Sequence, residues 1–177
     1  MNGLDLGLIG NCCIGALVDK RGRVVWCCFP RFDGDPVFHG LLSNGGDDNG
    51  DGVYAIELED LVSSTQTYLP NTAVLKTVLE GRSGAIEIID FVPRFKWRDR
   101  SFRPQMLVRR VRPIEGSPRI SIKVRPRFDN GARTPVQTFG SNHIRYTGDG
   151  QTLRLTTDAP IDYVRNETPF ILDDEIN

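Results

Sequence analysis

A chain of 177 residues with 39% hydrophobic residues, 25% charged residues and a formal net charge of −1 can bury one core of ordinary size, and its balance excludes the disordered and membrane classes. The 22 Lys and Arg stand against 23 Asp and Glu, which leaves no basic field to hold nucleic acid or an anionic membrane. No basic region followed by a long apolar run opens the sequence, and no stretch reaches membrane-span length. A cytoplasmic location is therefore expected. The four cysteines form two adjacent pairs, Cys12-Cys13 and Cys27-Cys28. On a strand each pair would split between core and outside, which suits reduced thiols better than a disulfide framework. Their spacing is not that of a zinc site, and no metal or cofactor is expected.

In chain order the sequence reads as strands from end to end. Residues 11–18 and 23–29 flank Lys20-Arg21-Gly22, a hairpin signal. The second strand holds Trp26, expected in the core, and runs into Pro30 and a compact Arg31-Phe32-Asp33-Gly34 turn. Asp35-Pro36 then suits the cap and first position of a short helix over residues 37–42. Residues 52–59 alternate as a strand. Residues 72–80 and 85–91 surround Gly81-Arg82-Ser83-Gly84, a second hairpin in which Val74, Lys76, Val78, Ile86 and Ile88 show a period of two. Residues 105–112 and 119–125 read as a third hairpin around residues 113–116, and residues 143–147 and 151–157 as a fourth around Gly148-Asp149-Gly150. Residues 161–165 read as the start of another strand. Hairpins at short, regular spacing predict an all-β antiparallel sandwich with at most one short helix, as a single domain over residues 1–177.

Several motifs invite chemistry. Gly7-Leu8-Ile9-Gly10 with Gly15 faintly suggests a phosphate loop, but no helix follows to hold a phosphate. The Asp47–Gly52 run starts like a calcium loop, yet its twelfth position holds Leu58 where a bidentate Glu belongs, so a solvated connection is the better reading. His39 and His143 lack any partner pattern. Pro-Arg-Phe occurs three times, at Pro30, Pro93 and Pro126, each copy following a strand. Arg offers forked donors and Phe rigid apolar area, so these loops are expected to gather on one edge as a docking surface. The local alternative is that Arg31 pairs Asp33, and Arg127 pairs Asp129, to fix a turn. Trp97 lies in a run too charged to bury whole, and suits a sugar platform or an interface anchor.

The order of the motifs carries a resemblance. Residues 25–38, V-V-W-C-C-F-P-R-F-D-G-D-P-V-F, resemble the D-W-L-C-L-P-R-F-D-S-P of bacterial and archaeal glucoamylase- and trehalase-like enzymes of glycoside hydrolase family 15. Leu8-Ile9-Gly10-Asn11-Cys12 with Ala16-Leu17-Val18 is similar to that family's I-G-D/N-C…A-A-L-V, and residues 68–77 to its Y-L-P-D/N-T-A-V-L-x-T. Asp90-Phe91-Val92-Pro93, Arg109-Arg110-Val111 and residues 126–131 resemble its D-F-M-P, R-R-V and P-R-F-D-Y-G. Val25 stands in place of the usual acid, and Asn130 in place of the usual Tyr.

The resemblance implies the amino-terminal β-sandwich of an inverting hydrolase that releases glucose from an α-glucan, an α-glucoside or trehalose. In that family the sandwich runs further and is followed by a catalytic (α/α)6 barrel carrying both catalytic glutamates, so this chain is expected to be an amino-terminal piece, inactive alone, with that barrel as its partner. No catalytic residue is assigned here. Arg31, Phe32, Asp33, Trp97, Arg127 and Asp129 are the candidates for the substrate rim or the barrel interface. Two alternatives stay open: a carbohydrate-binding module that uses Trp97, and an assembly domain that forms a homodimer through its docking face or a bare sheet edge.

Overall fold

The computed structural model describes residues 5–42 and 51–177, and the first four positions of the Asp47–Gly52 run lie outside the described residues. In chain order the strands are β1 (Gly7–Gly10), β2 (Gly15–Val18), β3 (Val24–Cys28), β4 (Pro36–Phe38), β5 (Val53–Leu58), β6 (Leu61–Tyr68), β7 (Leu75–Gly81) and β8 (Gly84–Phe91). There follow β9 (Phe95–Trp97), β10 (Arg100–Phe102), β11 (Val108–Gly116), β12 (Arg119–Arg125), β13 (Val136–Phe139), β14 (His143–Gly148), β15 (Gln151–Thr156) and β16 (Phe170–Ile171). One helix, α1 (Ile161–Arg165), precedes β16.

The architecture is the expected all-β antiparallel sandwich. One sheet has the order β1-β2-β3-β5-β12-β16, with β4 paired to β3 off that path; the other has the order β11-β8-β7-β6. Ile9, Val18, Val24, Ile56 and Ile120 of the first belong to one buried cluster with Leu75, Leu79, Ile86, Ile88 and Val111 of the second. The third sheet, β13-β14-β15, adds Ile144 and Tyr146 to the same cluster. Each such side chain contributes roughly 1.5–3 kcal/mol when fully buried, so this shared core holds the layers in place.

Several local expectations are corrected. Residues 37–42 are not a helix: Val37 and Phe38 form β4 against Cys27 and Cys28, and only Gly40–Leu42 turns, as a 3-10 step. Two bulky buried side chains gain more from the sheet than the Asp-Pro cap offers a helix. Residues 161–165 are helical rather than extended; Pro160 sits at the N-cap, and Ile161 and Val164 bury one face at the i, i+3 spacing. The first predicted strand breaks at residues 11–14, so Cys12 sits in a turn at φ 70°. Cys27 and Cys28 are both buried, Cys27 within the shared core cluster and Cys28 outside it, so both faces of β3 are covered at this point. Trp26 is half-buried.

Residues 105–125 do not form a hairpin. β11 pairs with β8 and β12 with β5, so the turn at Gly116 carries the chain from one sheet to the other. The buried phase of β7 is Leu75, Thr77 and Leu79, one residue out of step with Val74, Lys76 and Val78. β6, rich in Ser and Thr, is an edge strand that the hydrophobic pattern did not reveal.

Candidate functional site

The three Pro-Arg-Phe loops are neighbours. Asn11, buried in the turn between β1 and β2, donates through Nδ2 to the carbonyls of Pro93 (3.0 Å) and Pro104 (2.9 Å). Its Oδ1 accepts from the backbone N–H groups of Cys13 (3.0 Å) and Ile14 (3.3 Å). Both amide donors and the carbonyl oxygen are thus in use, and the second triplet's loop is fastened to the cysteine turn. The first triplet joins at the same turn, where the Phe32 N–H donates to the Cys13 carbonyl at 3.1 Å. Arg94 of the second lies 3.7 Å from Cys12 Sγ. The third adjoins the first, since the Arg127 N–H donates to the Val37 carbonyl at 3.0 Å and Phe128 lines one groove with Pro30.

Their side chains then take different roles. Arg31 grips Asp33 through two hydrogen bonds of 2.9 and 2.8 Å on an exposed turn. That grip holds the Asp33 carboxyl below its ordinary value. Phe32 is left projecting. In the third loop the Arg127–Asp129 pair of the local alternative does not form: Arg127 bonds Asp51 and Thr134, whereas Asp129, at φ 54°, lies 3.4 Å from Arg133. A left-handed turn aims the carboxylate at the residue four positions on. Phe128 is buried core, so of the Arg127-Phe128-Asp129 run only Arg127 and Asp129 remain near the surface.

Beside these loops β9 and β10 form a two-stranded ribbon paired only with each other. Arg98 and Asp99 have φ values of 49° and 59°, the signs a type I′ hairpin turn requires. Phe95 and Phe102 face each other across the ribbon with centroids 5.2 Å apart, and the Arg98 guanidinium lies 5.0 Å from the Trp97 ring. Phe32, Phe95, Trp97, Phe102 and Met106 are between 47% and 66% exposed. An isolated ribbon is marginal in water, and its aromatic side chains are largely uncovered.

Two motifs from the same sequence comparison prove to be internal. Arg109 on β11 meets Asp90 on β8 in a bidentate pair of 2.7 and 3.1 Å, with side chains 1% and 0% exposed. The same guanidinium donates to the carbonyls of Tyr54 (2.8 Å) and Gly22 and lies 4.6 Å from the Tyr54 ring. It thereby ties the two sheets together. Burial pushes the Asp90 carboxyl above its ordinary value, with the Arg109 charge pulling the other way. Sequence reasoning did not single out Asn11, Asp90 or Arg109, although each lay within a motif it quoted. Burial likewise pushes the Cys27 thiol up to about 12.

Among the described residues no helix is long and apolar enough to cross a membrane. No solved structure matches the chain. The chain is 34% identical to Trehalase 1 of Sulfolobus acidocaldarius, a match covering 90% of this chain and 26% of that protein. It is 26% identical to the trehalase of Mycolicibacterium smegmatis, covering 89% of this chain and 26% of that protein, and 26% identical to the trehalase of Mycobacterium tuberculosis, covering 82% and 24%. The chain thus spans about a quarter of the length of the curated relatives it matches. Residues 5–162 match the family described as trehalase-like, N-terminal, and the chain belongs to that family.

Proposed function

We propose that this domain serves a glycoside hydrolase that cleaves the α-glucosidic bond of trehalose, and that it braces the catalytic (α/α)6 barrel of the same polypeptide. The exposed aromatic ribbon beside the gathered Pro-Arg-Phe loops is the single observation that carries this reading. Phe32 and Trp97 anchor the barrel, and the Arg31–Asp33 turn stands at the rim of its active site. Trehalose is favoured over α-glucans because the three relatives are named trehalases. The domain takes no direct part in the chemistry, which needs a protonated acid and a carboxylate base set across the sugar. The one carboxylate buried among the described residues, Asp90, is committed to Arg109, while Asp33, Glu87 and Glu167 sit in ion pairs at or near the surface. Residence in the cytoplasm belongs to the same reading.

The test is glucose release from trehalose by the longer protein and by the 177-residue chain. The longer protein hydrolyses trehalose; the chain alone does not, and shows no trehalose affinity by calorimetry. Phe32→Ala with Trp97→Ala lowers activity of the longer protein and shifts its domains apart in small-angle scattering. Sugar binding by the 177-residue chain that is lost on Trp97→Ala would identify a carbohydrate-binding module instead.

A further inference from the structure

A groove of about 570 Å³ lies between β15 and residues 105–107, which lead into β11. Its floor is apolar, with Phe29, Val37, Phe38 and Tyr54 among the lining. One wall, β15, ends its sheet, and β11, into which the other wall leads, ends another. Outer strands leave every second N–H and C=O unpaired, and here the phase of those groups can be read.

The Thr157 N–H donates to the Asn142 carbonyl at 3.0 Å, so Thr157 faces β14. Alternation along the β14–β15 ladder then turns the backbone groups of Thr156, Arg154 and Thr152 toward the groove. On β11 Val111 exchanges two hydrogen bonds with Ile176, of 2.9 and 2.8 Å, in antiparallel register. Val111 therefore faces outward, and so does Arg109, two residues back. Asn177 faces the opposite way. Its N–H donates to the Asp158 carboxylate at 2.7 Å, and its carbonyl accepts from the Asp158 N–H at 3.4 Å.

The backbone at residues 176–177 thus already bridges β11 and the residue that lies two past the end of β15. Continued in the same direction, it sets the second residue after Ile176 opposite Arg109. It sets the second, fourth and sixth residues after Asn177 opposite Thr156, Arg154 and Thr152. These are the positions whose backbone groups are turned to the groove, so two edges from separate sheets call for one strand in one phase. The side chains agree. Val111 and Arg109 are buried, Ile176 packs on the core, and Leu153 and Leu155 do the same on β15 while Thr152, Arg154 and Thr156 are exposed.

We propose that this groove seats one further β-strand, antiparallel to both β11 and β15 and supplied by residues that follow Asn177 in a longer chain, joining the four-stranded and three-stranded sheets into one. Every second residue of that strand, counted from Ile176, is apolar and points to the core, because a shift of one would turn the whole set outward. The curated relatives extend well beyond the matched region, which accounts for about a quarter of their length. The inference rests on the register, the burial pattern beside the groove and the greater length of the relatives, and it does not depend on the hydrolase reading.

The test compares the 177-residue chain with two short extensions appended after Asn177. One carries valine at its first, third and fifth positions and threonine between them; the other exchanges the two residue types. Amide hydrogen exchange is followed at Arg109, Thr152, Arg154 and Thr156. The in-phase extension slows these amides by about tenfold or more, while the shifted one leaves them within about threefold of the unextended chain. Equal protection by both extensions, or by neither, overturns the proposal. So does protection in the unextended chain that rises with protein concentration alongside a dimer in light scattering, since a second copy would then hold the edge.

Discussion

Replacing Asp90 by leucine leaves the Arg109 guanidinium charged and without its carboxylate in a site where its side chain is 1% exposed. Breaking one side of a buried ion pair costs about 3–5 kcal/mol. For a domain of this length each kcal/mol moves the thermal midpoint by about 2–4 °C, so the loss is about 6–20 °C. Arg109→Met costs at least as much at neutral pH: it strands the Asp90 carboxylate and also orphans the Tyr54 and Gly22 carbonyls, at roughly 1–3 kcal/mol for each buried group left unpaired. The two variants differ in pH dependence. Burial raises the Asp90 carboxyl, and without Arg109 nothing offsets that rise, so the folded state holds a proton that the unfolded chain releases. Stability of Arg109→Met therefore falls as pH rises from the ordinary carboxyl value through the raised one, and its deficit is smaller at low pH. Asp90→Leu shows no such slope, because Arg109 stays charged throughout. Urea unfolding at mildly acidic and mildly alkaline pH, followed by circular dichroism, measures both variants and the double variant. The double variant should lose less than the sum of the singles, with a coupling energy of about 2 kcal/mol or more. Additive losses below about 1 kcal/mol each would refute the claim that this pair joins the sheets.

Asn11→Ala removes four hydrogen bonds and leaves the Pro93 and Pro104 carbonyls unpaired; a loss of about 2–4 kcal/mol in denaturant unfolding is expected, and a loss below about 0.5 kcal/mol would show that the loop fastening is incidental. Gly116→Ala places a Cβ against the Ser83 carbonyl at φ 67°, so the turn between sheets should lose about 1–2 kcal/mol or more, read as a lower urea midpoint. Under native conditions at mildly alkaline pH a thiol reagent should modify exposed Cys12 first and spare Cys27, whose thiol burial pushes up to about 12. Mass spectrometry of the labelled peptides checks that order, and rapid labelling of Cys27 would contradict its burial.

The fold class was legible because Gly- and Pro-rich turns punctuate short alternating segments, a pattern that depends only on neighbours in sequence. What escaped depends on partners distant in sequence. Nothing local distinguishes a return turn at residues 113–116 from one that crosses to another sheet, and the crossing is decided by β11 joining β8. Val37 and Phe38 look compatible with helix until β3 offers them a ladder. At the candidate site, the Arg31–Asp33 grip was legible as a two-residue turn device, whereas Arg127 selects Asp51, 76 positions away. Asp and Arg are residue types that mostly sit at surfaces, and only packing makes Asp90 and Arg109 internal.

The most direct test of the docking account is amide hydrogen exchange at residues 31–34 and 95–102, compared between the 177-residue chain and a longer protein that includes the proposed catalytic barrel. Protection confined to the longer protein, strongest around Phe32 and Trp97, is the predicted result. Equal exchange at those residues in both proteins, with trehalose hydrolysis intact in the longer one, would contradict it.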